Sequence, residues 1–305
     1  MAEIYSFKVF AAVVENGNFT KAARVLKITP SAVSHTISKL EDEFGFPLFV
    51  RSRNSMELSQ NGSRLMPQIY NMIKLQDRIV QEKQEILGVE KGTVRVGAFN
   101  SVTMKWLPGI VRSFKDKYPG LDIQVTQGKY SEVVEGVKKG MLDLGFVTST
   151  TEMRSEIIPL YDDPLMCVTA KEYVPENKTY ITVEEIRNMT ILMQAEGLAS
   201  DTENFLDKHK IRLDSKIRVA DDSSLVAMVS SGFGISIMPK LLFDGNNFDG
   251  NEMDVNLYEI SPAEYRTIGL ITVREPFLSP AAVRLRDEII EYVKKYKESD
   301  QQFPV

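Results

Sequence analysis

Between Gly17 and Leu58 the chain reads GNFTKAARVLKITPSAVSHTISKLEDEFGFPLFVRSRNSMEL, and this stretch limits what the N-terminal region can become. Asn18 is placed to cap a short helix through Ala22-Ala23-Arg24-Val25-Leu26, because its side chain can accept from a free backbone N–H. Small Ala22 and Ala23 admit a neighbouring helix, and Val25 and Leu26 are expected to supply buried surface. Thr29 then caps a second helix with Pro30 at its first position, where a missing N–H costs nothing. Val33, Ile37, Leu40 and Phe44 recur at helical spacing and face inward. The opposite face is small, hydroxyl-bearing or basic, which suits a groove of DNA. This is a helix-turn-helix pattern. After it, Phe46 to Val50 is apolar and extended, Arg51 to Ser55 turns, and Met56-Glu57-Leu58 returns as a strand. A hairpin carrying two arginines beside a polar helix reads as a wing on the phosphate backbone. The candidate DNA-contacting residues are Thr20, Thr29, Pro30, Ser31, Ser34, His35, Ser38 and Lys39, with Arg51 and Arg53 in the wing.

The charge distribution agrees with a small DNA-binding head on a larger body. The chain of 305 residues carries a net −5, which argues against coating nucleic acid. Its first sixty residues hold seven lysines and arginines against six carboxylates, a balance of +1, so the remainder carries −6. Affinity per monomer is therefore modest, which favours binding as an oligomer. The single cysteine, Cys167, excludes a structural disulfide within one chain and fits a reducing compartment. There is no basic segment followed by an apolar stretch at the N-terminus and no apolar run of membrane length. The expected location is the cytoplasm, with no membrane partner.

Taken in order, the chain divides into three parts. A first helix over residues 3–15 carries Ile4, Phe7, Phe10, Ala11, Val13 and Val14 as a platform for the helix-turn-helix. From 60 to 88 Leu65, Ile69, Met72, Gln76, Ile79, Lys83 and Ile86 alternate four and three apart. So wide a stripe needs a partner, and a second copy of this chain is the expected one, with packing on its own domain as the alternative. Pro67 is expected to kink the helix or delay its start. From Thr93 onward strands alternate with helices, which implies mostly parallel sheets; about 210 residues of this pattern suit two α/β lobes better than one sheet. The boundaries read as 1–59, 60–91 and 92–305, with one lobe over 92–163 plus 268–305 and the other over 164–267.

The chain resembles the LysR-type transcriptional regulators over nearly its whole length. The carrying residues are Phe10-x-Ala12-Val13-Val14, Phe19-Thr20-x-Ala22-Ala23-x-x-Leu26, Ser31-Ala32-Val33-Ser34-His35-x-Ile37 and Leu40-Glu41. Pro47-Leu48-Phe49-x-Arg51 and Leu58-Ser59-x-x-Gly62 continue the match, and Leu142-Asp143-Leu144-Gly145-Phe146 and Gly232-x-Gly234-Ile235-x-Ile237-x-Pro239 extend it into the C-terminal part. The resemblance implies an α/β protein with an all-α-type N-terminal module: a winged helix-turn-helix, a long dimerising linker helix and a two-lobed, periplasmic-binding-protein-like effector domain. It also implies dimers or dimers of dimers on double-stranded DNA with interrupted dyad symmetry, with RNA polymerase as a further candidate partner. One departure stands out. Many members carry Gln-Pro where this chain has Pro30-Ser31, so base reading falls to Ser31, Ser34, His35 and their neighbours.

The resemblance places a small-molecule effector between the lobes, joined by crossing strands near Pro164–Met166 and Tyr265–Ile268. Parallel α/β sheets bind ligands at strand carboxyl ends, where helix N-termini converge. That rule collects Ser101, Val102 and Thr103, then Lys129, Thr148 and Ser149 from the first lobe, and from the second the segments Gln194 to Thr202 and Asp221 to Ser224, with Ser200 and Ser223 as the candidates. A hydroxyl-rich set with one lysine suits a small carboxylate or another anion; the alternative is that Ser131, Thr148 and Ser223 merely cap helices. In related regulators the positions matching Ser101 and Lys129 line the pocket, although a hydroxyl is commoner at the second. No GxxxxGK(S/T) loop, HExxH or Cys/His cluster occurs, so no cofactor, metal or enzymatic activity is expected. Trp106 is expected to pack near the cleft mouth. The competing functions are a solute-binding transport protein built on the same lobes, and a DNA-binding scaffold with a vestigial cleft.

Overall fold

A computed structural model describes residues 3–51, 56–86, 91–148, 157–195, 200–213, 217–244, 247–248, 251–252, 254–274 and 276–302. Helix α1 (Ile4–Asn16) ends at Gly17, whose φ of 60° is left-handed. Helix α2 (Phe19–Leu26) begins under the Asn18 side chain, which accepts from the Thr20 and Lys21 N–H groups. Helix α3 (Pro30–Phe44) begins under Thr29, which accepts from the Ala32 N–H. Val33, Ile37 and Leu40 meet Phe10, Val13, Ala22 and Ala23 in one core. Val25 departs from expectation: it is 63% exposed. The buried stripe of α2 runs through Ala22, Ala23 and Leu26, which leaves Val25 on the far side of so short a helix.

Strands β1 (Phe49–Arg51) and β2 (Met56–Leu58) pair antiparallel and form the wing, a shorter hairpin than the apolar run from Phe46 implied. Its start is anchored by Glu41, whose carboxylate accepts from the Leu48 and Phe49 N–H groups at 2.7 and 3.1 Å. Helix α4 (Gln60–Ile86) follows and is continuous through Pro67, so the proline does not delay its start. Ser59 fixes that start: its hydroxyl accepts from the Gly62 N–H and donates to the Pro47 carbonyl. A Cβ at Gly62 would stand 2.2 Å from the Leu48 carbonyl oxygen, a backbone atom with nowhere to move. Gly62→Ala is therefore expected to cost about 2 kcal/mol, read by thermal melting, and to weaken DNA binding in a gel-shift assay. A variant that melts like the parent would show that the wing and α4 are not tied here.

The apolar stripe on α4 splits in two. Met66, Ile69 and Tyr70 are buried against the chain's own N-terminal core, whereas Met72, Leu75, Ile79, Val80 and Ile86 are exposed. Packing on its own domain holds for the first half; the second half has no cover among the described residues. Between them Lys74, buried at 7% side-chain exposure, forms an ion pair with Asp143.

The C-terminal part begins with β3 (Gly92–Ala98), α5 (Asn100–Lys105), α6 (Leu107–Lys117), β4 (Leu121–Gln127), α7 (Tyr130–Lys138) and β5 (Leu144–Thr148). The long strand β6 (Ile158–Ala170) then crosses into the second lobe. There lie β7 (Tyr180–Thr182), α8 (Val183–Arg187), β8 (Met193–Gln194), α9 (Ser200–Lys208), β9 (Arg218–Val219), α10 (Asp222–Ser230) and β10 (Ser236–Pro239). A 3-10 turn at Lys240–Phe243, the short β11 (Asn247–Phe248) and β12 (Asn251–Glu252), and β13 (Val255–Ser261) follow. Strand β14 (Tyr265–Thr272) returns to the first lobe, where α11 (Pro280–Gln302) closes the fold.

The main sheet runs β4-β3-β5-β14-β6-β13-β7, with β10 also on β6. It is mixed rather than mostly parallel: β3 pairs parallel with β4 and β5, and β13 with β7, but β14 pairs antiparallel with β5 and β6, and β13 and β10 pair antiparallel with β6. The physical reason is the double crossing. A chain that passes to a second lobe and comes back must lay its return strand against its outgoing one. Tyr265 faces Pro164 at that crossing, within the segments expected from sequence. The first lobe holds Trp106, Phe114, Phe146 and Tyr161 in its core. Trp106 is fully buried there against Tyr161 and Tyr296, so it is a core residue and not part of the cleft mouth. The second lobe has cores on both faces of its sheet, around Cys167, Ile186 and Phe205 and around Val168, Leu225 and Phe243.

Candidate functional site

Two surfaces follow from this frame. On the head, Thr20, Thr29, Pro30, Ser31, His35 and Lys39 lie at the surface, and Ser34 and Ser38 lie along the same side of α3. The Thr29 and Ser31 hydroxyls lie 3.0 Å apart, and Thr36 donates back to the Ala32 carbonyl, which holds the start of α3 rigid. Arg51 ends strand β1; its side chain, and the whole of Arg53, lie outside the described residues. The fold thus presents a polar helix and the base of a wing on one edge, backed by an apolar core.

The second surface is a cleft of about 790 Å³ between the lobes. Its floor is a saturated charge cluster around Arg266, a residue on β14 with 5% of its side chain exposed. The guanidinium Nε donates to Asp163 at 2.9 Å and Nη2 to Asp163 and Ser101 at 2.7 Å each. Nη1 donates to the Tyr130 hydroxyl at 2.9 Å and to Asp201 at 3.1 Å. Tyr130 in turn donates to Asp201 at 2.5 Å, and the Leu241 N–H donates to Asp163 at 2.9 Å. Burial works against a charge on Arg266, but Tyr130, Asp163 and Asp201 more than offset it and hold the group above its ordinary value. Burial likewise pushes the Asp163 carboxyl and the Tyr130 hydroxyl up. The Arg266 guanidinium also lies 5.0 Å from the centre of the Phe99 ring.

Above this floor the lobes are bridged again. Asn100, from the first lobe, donates to Asp222 at 2.5 Å, and Gln194, from the second, donates to its other oxygen at 2.6 Å. Gln127 donates to the side-chain amide oxygen of Asn100 at 3.2 Å. Among the described residues, five carboxylates line the cleft (Glu132, Glu135, Asp201, Asp221 and Asp222) against two cations, Lys129 and Arg266.

The expected residues divide. Ser101 and Lys129 line the cleft, Ser101 engaged with Arg266 and Lys129 at the rim. Val102 is buried in the first lobe's core, and Thr103 donates back to the Phe99 carbonyl, so neither lines it. Thr148 is buried at the end of β5 away from the lining. Ser149 and the Ser200 side chain lie outside the described residues. Ser223 does not line the cleft, and neither it nor Ser131 is the helix cap: Asp221 caps α10 by accepting from the Ser224 N–H, and Lys129 holds the cap position of α7. Sequence reasoning missed Arg266 and Asp163; Asp201 and Asp222 lie in the two second-lobe segments it brought to the cleft, but it named the serines there and not the acids. The available signal was two acids before Pro164 and an arginine at the return crossing, opposite charges placed where the strands meet.

Comparison with known proteins fits this architecture. The profile for the bacterial regulatory helix-turn-helix protein, lysR family, matches residues 4–63, and that for the LysR substrate binding domain matches residues 87–294. The uncharacterized HTH-type transcriptional regulator YvbU of Bacillus subtilis is 27% identical over 268 residues, covering 88% of this chain and 90% of its own. Among solved structures, a full-length OxyR variant from Pseudomonas aeruginosa superposes with a TM-score of 0.74 at 17% identity, covering 96% of this chain and 98% of its own. CbnR in complex with its target DNA superposes at 0.62 with 20% identity, covering 96% and 99%. At such identities these two likenesses speak to the fold, a helix-turn-helix head on a two-lobed domain. The profiles together span nearly the whole sequence, and the chain belongs to the LysR family of DNA-binding transcriptional regulators with an effector-binding domain.

Proposed function

We propose that this protein is a cytoplasmic one-component regulator that grips a DNA site of interrupted dyad symmetry as a dimer or dimer of dimers. A small effector between the lobes resets the spacing of its DNA-binding heads. The observation that carries this reading is the joining of a head with an exposed polar recognition face to a 790 Å³ cleft through one 27-residue helix. The exposed half of the α4 stripe, Met72, Leu75, Ile79 and Ile86, supports a second copy as its cover, because such a patch on a long helix is costly in water. CbnR has been captured on its target DNA, and docking through α3 and the wing is the working picture for this chain. Contact with RNA polymerase is the natural route from DNA binding to transcription. Thiol chemistry is no part of the sensing: Cys167 is fully buried in β6, and burial pushes its thiol far up.

The anion expected from sequence rested on a hydroxyl-rich set with one lysine, Lys129, and the acid excess of the lining works against it. The test of the regulator reading is footprinting of the full chain on DNA upstream of candidate target genes. Replacing Arg53 by Ala is expected to weaken binding across all sequences and lower the salt slope by about one, whereas His35→Ala changes sequence preference. Equal effects from both substitutions would overturn that division between wing and recognition helix.

A further inference from the structure

We infer that the effector of this cleft carries a protonated amine and that Asp201 and Asp222 receive it. The inference rests on the regulator reading and names the ligand class of its site. A carboxylate or oxyanion needs free donors, and the buried cation of the cleft floor offers none, while Lys129 stands at the rim among an excess of acids. The five N–H groups of Arg266 are all used by Asp163, Asp201, Ser101 and Tyr130. Its charge is also more than cancelled, by two buried carboxylates against one guanidinium.

What the floor lacks is a donor. Asp201 has 10% of its side chain exposed, and its Oδ1 is buried without a hydrogen-bond partner among the described residues. An orphaned carboxylate oxygen is costly unless something donates to it. An ammonium supplies both the donor and the missing positive charge. Asp222 brings a second carboxylate to the lining of the same cleft, held by Asn100 and Gln194. Both acids also bridge the lobes, Asp201 through Tyr130 and Asp222 through Asn100, so a cation bound to them acts on the contacts that set lobe closure. The edge-on Phe99–Tyr130 ring pair at 4.8 Å adds an aromatic wall suited to an amine's carbon chain.

The test uses the full-length protein and matched probes: putrescine against succinate, and tyramine against 4-hydroxyphenylacetate, with agmatine and ethanolamine added. At saturation an amine is expected to raise the melting temperature by about 5 °C and to alter the DNA footprint, while its carboxylate counterpart does neither. Asp201→Asn and Asp222→Asn, each preserving shape, are expected to weaken that amine about tenfold or more. A carboxylate that stabilises the protein, with the effect lost in Lys129→Ala, overturns the proposal. Silence of every amine overturns it as well. Footprinting without any ligand tests the regulator reading separately, so failure of the head and failure of the amine assignment are distinguishable.

Discussion

Replacing Arg266 by methionine lowers the melting temperature by about 10 °C at neutral pH. The substitution keeps the bulk of the side chain but leaves Asp163, fully buried, and Asp201, nine-tenths buried, side by side with no counter-charge. Removing one partner of a buried pair costs about 3–5 kcal/mol, and each kcal/mol moves the midpoint of a domain this size by roughly 2–4 °C. Arg266→Lys should recover only part of the loss, because one ammonium cannot feed four separate acceptors from a single point. The pH dependence separates the cause from simple loss of packing. Burial already pushes the Asp163 carboxyl up, and without Arg266 little opposes that push beyond the Leu241 N–H. An acid whose folded-state pKa is raised binds its proton more readily folded than unfolded, so stability falls as pH rises. The deficit of the variant therefore shrinks on going from pH 7 to pH 5. Calorimetry at the two pH values checks it; a deficit that is flat with pH would mean that water already reaches the cluster.

The contrast between this cluster and the head explains what could be read from sequence. The head is a local object. Asn18, Thr29 and Pro30 announce their helices within three residues, and the structure has all of them in those roles. Gly62 was visible as part of a motif, although its reason, the Leu48 carbonyl 2.2 Å away, lies fourteen residues back. The cleft is a non-local object. Arg266 and Asp163 are 103 residues apart and meet only because β14 returns along β6. No periodicity in either segment encodes that meeting, and the hydroxyl-rich loops give a stronger compositional signal than the strands that hold the charges. Strand β13 carries little local signal for a related reason: it is half-buried and takes its place only against β6 and β7. The α4 stripe misled differently. A wide apolar face looks like one interface, and only the folded chain shows that Met66, Ile69 and Tyr70 serve the head while Ile79 and Ile86 face outward.

The same helix carries the second large effect. Lys74 sits on α4 where an exposed linker lysine would be unremarkable, yet it reaches into the first lobe, pairs with Asp143 and donates to the Leu142 carbonyl at 3.3 Å. Asp143 is held in turn by the Arg95 N–H at 2.7 Å, so the pair joins α4 directly to β3 and to the turn before β5. Asp143→Asn keeps that backbone bond but strips the counter-charge from a cation with 7% of its side chain exposed, again a loss of about 3–5 kcal/mol. Here the pH dependence runs the other way. Burial pulls the Lys74 ammonium down, and Asp143 is the main group holding it up. A base with a depressed folded-state pKa sheds its proton more readily folded than unfolded, so stability rises with pH. The Asp143→Asn deficit shrinks toward alkaline pH, where the Arg266→Met deficit grows. Replacing both members, as Lys74→Met with Asp143→Asn, is expected to restore most of the stability, since no charge is left stranded and the Arg95 N–H keeps its acceptor. The double variant also loses a fixed polar tie between the linker helix and the lobe, so an effector should change its DNA footprint less than the parent's. A double variant with parental stability and an undiminished ligand response would assign the tie to folding alone, and coupling to the heads would then have to run through the apolar contacts of Tyr70 and Met141.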